Sequence, residues 1–175
     1  DYIARSGGIF RDMTIHDFDM ARFLLGEEPV AVSAHASVLV DKKIGEAGDF
    51  DSVSVILETA SGKQAVISNS RRATYGYDQR IEVHGSEGMI RAGNIHETTV
   101  EIANKSGFKT DPILNFFLER YMPAYRAELV EFLRVARGDV PQLVDEDGVT
   151  LLGREHLGEP SRQDDGGSDQ SKHER

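Results

Sequence analysis

Three side chains able to move or hold a proton lie close together near the start of the chain: Asp12, His16 and Asp19. At about 100° per residue, an α-helix brings all three within an arc of about 60°, so they form an Asp–His–Asp stripe on one face. An imidazole beside a carboxylate in partly dry surroundings is a general base near neutral pH. The carboxylate orients the ring and stabilises the imidazolium that forms. Met13, Ile15, Phe18 and Met20 are apolar neighbours, so the helix that carries the stripe is expected to be partly buried. Two other readings of this spacing stay open: solvated pairs on an ordinary helix surface, and a divalent metal held by carboxylates and imidazole. No second histidine at ligand spacing supports the metal site, and no metal is assigned.

The element that must position the stripe runs from Gly7 to Gly26. Phe10, Met13, Phe18, Met20, Ala21, Leu24 and Leu25 have broadly helical spacing. Gly26 is a helix stop, with Pro29 just beyond. From Val30 to Ala103 the apolar period falls to two. Val30, Val32, Ala34, Ala36, Val38 and Val40 alternate with Ser33, His35 and Ser37, Val53, Val55 and Leu57 with Ser54 and Glu58, then Ile81 and Val83 with Arg80, Glu82 and His84, then Val100 and Ile102 with Glu101. Ser61-Gly62 and Gly85-Ser86-Glu87-Gly88 read as turns, giving an antiparallel meander. Pro112 to Gly138 is helical again. Its stripe runs from Ile113, Phe116 and Phe117 to Phe132, Leu133 and Ala136, and reads as core; Pro123 is expected to kink or split it.

The predicted fold class is therefore α+β: a mostly antiparallel sheet, helices packed on one face, and the other face open for oligomerisation. This domain is expected over residues 1–150. Asp145-Glu146-Asp147 resembles an acidic helix start. From Arg154 onward the chain is nearly all polar, so residues 151–175 are expected to form a disordered tail.

Composition narrows the function classes. The 175 residues are 39 % hydrophobic with 17 Gly, a globular composition. A net charge of −10 repels phosphate backbones and argues against nucleic acid. No apolar run approaches the roughly 18 residues of a membrane span, and no signal peptide opens the chain. Cysteine is absent, which excludes disulfides and thiolate chemistry and fits a cytoplasmic setting. His35, His84 and His96 fall in strand or loop zones and read as solvated.

Gly7-Gly8 followed by Asp12, His16 and Asp19, with Ala21-Arg22-Phe23-Leu24-Leu25-Gly26 behind, resembles the Gfo/Idh/MocA oxidoreductases. The string from Gly8 to Asp19 is most similar to their inositol 2-dehydrogenase branch. Arg72 to Gly88, and Arg120-Tyr121 with Ala124-Tyr125 and Glu128-Leu129, agree with it. The resemblance implies NAD-dependent oxidation of a ring hydroxyl of myo-inositol, or of a related sugar or polyol, to a ketone. His16 would take the hydroxyl proton and Asp12 would support it. Asp19, Tyr77 and Tyr75 would be substrate contacts. It also implies a homotetramer built through the open sheet face, and a preceding dinucleotide-binding domain that carries a catalytic lysine. The G-x-G-x-x-G fingerprint of such a domain does not occur in this sequence. No cofactor residue is assigned here, and the chain alone is expected to be inactive. The alternative is a non-catalytic dimerising scaffold of the same fold.

Overall fold

The computed structural model describes residues 2–139. The expected helix start at Asp145 and the polar tail over 151–175 lie outside the described residues.

The chain opens with a short helix α1 (Ile3–Ser6), a π-helical turn (Phe10–Thr14) and α2 (Ile15–Leu25). Gly26 ends α2 in the left-handed region at φ 61°, as its position in the sequence predicts. Strand β1 (Pro29–Ser37), a one-turn helix α3 (Lys42–Glu46), β2 (Ser52–Thr59) and β3 (Gln64–Ser70) follow. The three strands form one antiparallel sheet in the order β1-β2-β3. In β2 the alternation is strict: Val53, Val55, Leu57 and Thr59 are buried, while Ser54, Ile56 and Glu58 point the other way. The inner face holds the core, Val55, Leu57, Ile67 and Ala21, with Phe10, Phe18 and Ala65 packed against it. Val55 is fully buried, which is worth about 2 kcal/mol for a side chain of its size. The outer face carries Ser33, His35, Ser54, Ile56, Val66 and Ser68, and no described helix covers it.

β1 stops at Ser37 instead of running to Val40 as predicted. The reason is Asp51. Its buried carboxylate accepts hydrogen bonds from the successive N–H groups of Leu39 (2.8 Å), Val40 (2.8 Å) and Asp41 (3.0 Å), and from Ser52 Oγ (2.9 Å). Three consecutive amides aimed at one anion cannot also serve a strand ladder. Donation by these amides holds the Asp51 carboxyl down to about 2, against the opposing effect of burial.

Two hairpins follow: β4 (Ile81–Gly85) with β5 (Gly88–Ala92), and β6 (Glu101–Asn104) with β7 (Gly107–Thr110). The predicted turn at Gly85-Ser86-Glu87-Gly88 closes the first hairpin. The pairing is antiparallel throughout, as expected, but the strands fall into three separate sheets.

The long helix α4 (Phe117–Ala136) departs from expectation in two respects. Pro123 does not split it; it stands in the second turn, where it removes a single backbone bond. Nor does its apolar stripe form core, since Phe116, Leu129, Phe132 and Leu133 are all exposed. Apolar sheet surface remains, at Val32 on the inner face and at Ile56 and Val66 on the outer, but α4 does not lie against it. The helix is held at its start instead. Glu119 accepts from the backbone N–H groups of Asn115 and Phe116, and Arg120 Nη2 donates to the carbonyls of Gln79 (3.1 Å) and Gly93 (3.2 Å). Among the described residues no helix is long and apolar enough to cross a membrane.

Candidate functional site

The site is built at the junction between the π turn and α2. Gly7 (φ 84°) and Gly8 (φ 89°) turn the chain in the left-handed region that suits glycine. The buried N–H of Ile9 then donates to Asp49 Oδ1 (2.9 Å). Asp49 also takes Arg71 Nη2 (2.8 Å), while Arg71 Nη1 donates to Asp12 Oδ2 (2.7 Å). The Tyr2 hydroxyl donates to the other oxygen of Asp12. Arg71 is nearly buried, with a side chain 8 % exposed, between carboxylates that are 14 % and 9 % exposed. The two carboxylates keep the guanidinium protonated despite the burial that opposes it. This Asp–Arg–Asp bridge ties the π turn to β3 and to the loop before β2.

A second tie lies one turn further on. Asn69 belongs to the inner face of β3, in parity with Ala65 and Ile67, where the strand is otherwise apolar. Its Oδ1 accepts from the hydroxyl of the buried Thr14 (2.8 Å), and its Nδ2 donates to Asp17 Oδ2 (2.8 Å). Thr14 joins the π turn to α2 with helical dihedrals, and its hydroxyl is directed at Asn69, with the Ile9 carbonyl further off at 3.4 Å.

These two ties correct the expected pairing of Asp12 with His16. Asp12 lies in the π turn, not in α2, and the extra residue in that turn breaks the α-helical register assumed for the two residues. Its oxygens are taken by Tyr2 and Arg71. No hydrogen bond joins it to His16, and among the described residues the imidazole has no hydrogen-bond partner. His16 and Asp19 do share a face: in α2 they stand three apart with Met20 and Phe23, and all four are exposed. The metal reading of Asp12, His16 and Asp19 is not assembled, since among the described residues no three His, Asp or Glu side chains converge to hold an ion.

Tyr77 is half-buried, its ring packed edge-on against Tyr121 at 5.9 Å between centroids and tilted against Phe117 at 6.4 Å. Its hydroxyl is pushed up to about 12, first by burial, then by the Tyr121 hydroxyl and by the negative charge of Asp17. Tyr77 is thus an electrostatic neighbour of the residue that follows His16. Tyr75 is exposed and donates to Asp78. Arg80 (2.7 and 2.9 Å) and Asn94 (2.7 Å) also grip Asp78, and with Tyr75 they hold its carboxyl down to about 2. No hydrogen bond links Tyr75, Tyr77 or Asp19 to His16. Of the other histidines, His84 is exposed and meets Glu82 (2.8 Å), and His96 Nδ1 meets the Asp111 carbonyl (2.6 Å).

Sequence reasoning missed Arg71, Asp49 and Asn69. Asn69 carried a signal, being an amide on the apolar parity of a strand. Arg71 carried none, since 59 residues separate it from Asp12.

Residues 2–91, which include both ties, match the GFO/IDH/MocA C-terminal domain. The chain belongs to the GFO/IDH/MocA family. This GFO/IDH/MocA domain is 68 % identical over 133 residues to an inositol 2-dehydrogenase of Rhizobium meliloti (strain 1021), covering 76 % of the chain and 40 % of that relative. It is also similar to the crystal structure of a myo-inositol dehydrogenase from Corynebacterium glutamicum ATCC 13032, with a TM-score of 0.75 and 51 % identity, over 78 % of the chain and 41 % of that protein. A scyllo-inositol dehydrogenase from Lactobacillus casei, solved with NAD(H) and scyllo-inositol bound, aligns with a TM-score of 0.69 and 27 % identity, over 76 % of the chain and 39 % of that protein. The chain therefore spans about two fifths of the length of these relatives.

Proposed function

We propose that this domain supplies the substrate side of an NAD-dependent dehydrogenase that oxidises a ring hydroxyl of an inositol, myo-inositol first, to a ketone. His16 is the general base. The observation that carries this reading is a braced helix presenting an unengaged imidazole: the turn bearing His16 is tied to the sheet through Thr14 and Asp17, while its ring faces outward beside Asp19. The ring takes the hydroxyl proton as the C–H of the same carbon leaves as hydride. A nicotinamide held by the rest of the protein would supply the hydride acceptor. Asp19, one turn beyond His16, accepts a hydrogen bond from a neighbouring ring hydroxyl. The Tyr77 hydroxyl, held protonated, donates one, and Tyr75 contributes at the rim. Asp12 anchors the start of the turn through Arg71 instead of orienting the ring.

The described residues do not fit a dinucleotide by themselves. The glycine turn at Gly7-Gly8 is the nearest approach to a phosphate loop, and the domain's own Asp49 carboxylate already takes its Ile9 amide. Cofactor binding is accordingly assigned to the part of the relatives that this chain does not span. The outer face of β1–β3, where exposed Ile56 and Val66 stand among Ser33, Ser54 and Ser68, is assigned to contact with a second copy, in a cytoplasmic homo-oligomer.

The test is NADH formation by the full-length protein with myo-inositol, scyllo-inositol and glucose as substrates. His16→Ala is expected to lower kcat by about 10²–10⁴-fold, the usual weight of a general base. Full turnover by that variant, or turnover by the 175-residue chain alone, would overturn the assignment. A protein that assembles normally yet reduces no cofactor with any polyol would instead be the scaffold of the alternative reading.

A further inference from the structure

We infer that Asn69 is a positioning residue for His16: its side-chain amide fixes the helical turn that carries the base from both sides. The inference rests on the reading of His16 as the base. An amide on the core face of a strand costs free energy unless every donor and acceptor is paired, and a Leu there would continue the apolar run of Ala65 and Ile67. Asn69 is paired at both ends, and both partners flank His16. Oδ1 takes the Thr14 hydroxyl two residues before it, and Nδ2 holds the Asp17 carboxylate one residue after it, each at 2.8 Å. Thr14 is fully buried, with helical dihedrals at the end of the π turn, and its hydroxyl is directed at Asn69 at 2.8 Å, the Ile9 carbonyl being further off at 3.4 Å. The Asn69 bonds fix where α2 lies on the sheet, and with it the rotation of the first turn and the direction in which position 16 points. A bridge across the π–α junction also holds the register where the helix geometry changes.

The experiment is a double-mutant cycle in the full-length dehydrogenase, with Asn69→Leu, His16→Ala and the pair, each first checked for native circular dichroism and a cooperative melt. Asn69→Leu is expected to lower kcat by about 10²-fold, the cost of a base displaced by about 1 Å, while KM for inositol changes less than about threefold. In the His16→Ala background the same substitution should change kcat less than about twofold, because it acts only through the ring. Thr14→Val, which keeps shape and loses the hydroxyl, should reproduce part of the loss, and Thr14→Ser should restore it. A readout independent of turnover uses the 175-residue chain: Thr14→Val should shift the Asn69 side-chain NH₂ signals in its NMR spectrum, and Thr14→Ser should leave them near their parent positions. Wild-type kcat in Asn69→Leu, or an equal fall in both backgrounds, would refute the positioning role while leaving His16 as the base. Wild-type kcat in His16→Ala would remove the base itself, and this inference with it.

Discussion

Asp49→Ala is expected to destabilise the domain by about 3 kcal/mol. The Asp49 carboxylate has two kinds of donor. The Ile9 N–H at 2.9 Å belongs to a fully buried residue, and the Arg71 guanidinium at 2.8 Å is almost as dry. Leaving a buried N–H unpaired costs about 1–3 kcal/mol. Removing one partner of a buried ion pair costs about 3–5 kcal/mol when the remaining charge has nowhere to turn. Here Arg71 keeps Asp12 at 2.7 Å, so the second cost falls well below that range and the two together come to about 3 kcal/mol. At roughly 3 °C per kcal/mol for a domain of this size, the melting midpoint should drop by about 10 °C. Asp49→Asn retains an acceptor for Ile9 and loses only the charge, so it should fall between variant and parent. The acid limb gives an independent check. The amides of Ile9 and Phe50 and the Arg71 guanidinium hold the Asp49 carboxyl below its usual range, against burial, which opposes them. A carboxylate with a depressed folded pKa contributes stability that is complete above the unfolded value near 4 and is lost as pH falls below it. The stability gap between Asp49→Ala and the parent should therefore narrow below about pH 4. Urea unfolding followed by circular dichroism from pH 7 to pH 2 measures both quantities. A loss under about 0.5 kcal/mol at pH 7, or a gap that widens in acid, would show that the Asp–Arg–Asp bridge does not hold the π turn.

Two further outcomes follow from the backbone. Gly76→Ala should cost more than about 2 kcal/mol, because φ is +130° and the added Cβ would lie 2.4 Å from Ile113 Cγ1 and 3.1 Å from the Ile113 carbonyl; a melt within 1–2 °C of the parent would contradict it. Asp51→Ala should open the segment after β1, seen as faster hydrogen exchange at Leu39, Val40 and Asp41, and in the parent the same amides should lose protection as pH falls from about 4 toward the Asp51 value of about 2.

The parts of the fold that were legible are those fixed by local periodicity. The alternation of Val53, Val55 and Leu57 marks a strand whose two sides differ, and burial follows it residue by residue. Gly26 and the Gly85–Gly88 turn sit where backbone sterics place them. What could not be read depends on distant partners. The truncation of β1 is caused by Asp51, more than ten residues away, and no pattern within Val38–Val40 announces it. The stripe of α4 has the spacing of a core helix, but spacing does not say what packs against it, and among the described residues the stripe stays exposed. At the candidate site, sequence spacing set His16 and Asp19 on one face of α2, expected to be partly dry, and both are exposed there. It misplaced Asp12 because a π turn is invisible to a 3.6-residue period.

The π turn is also the reason the site divides as it does. Had an α-helix run unbroken from Phe10, Asp12 and His16 would share a face, and the carboxylate that meets Arg71 would draw the imidazole toward the sheet. The extra residue separates the two tasks. Asp12 goes with the face that meets β3 and joins Arg71 and Asp49, while His16 goes with the face that meets solvent. As the proposed base, His16 must be both fixed and free to meet substrate, opposing demands on one side chain. The chain satisfies both by bracing the backbone on either side of His16, through Thr14 and Asp17, instead of binding the ring itself. On that reading the ring is placed by its backbone, without a carboxylate partner on its second nitrogen among the described residues.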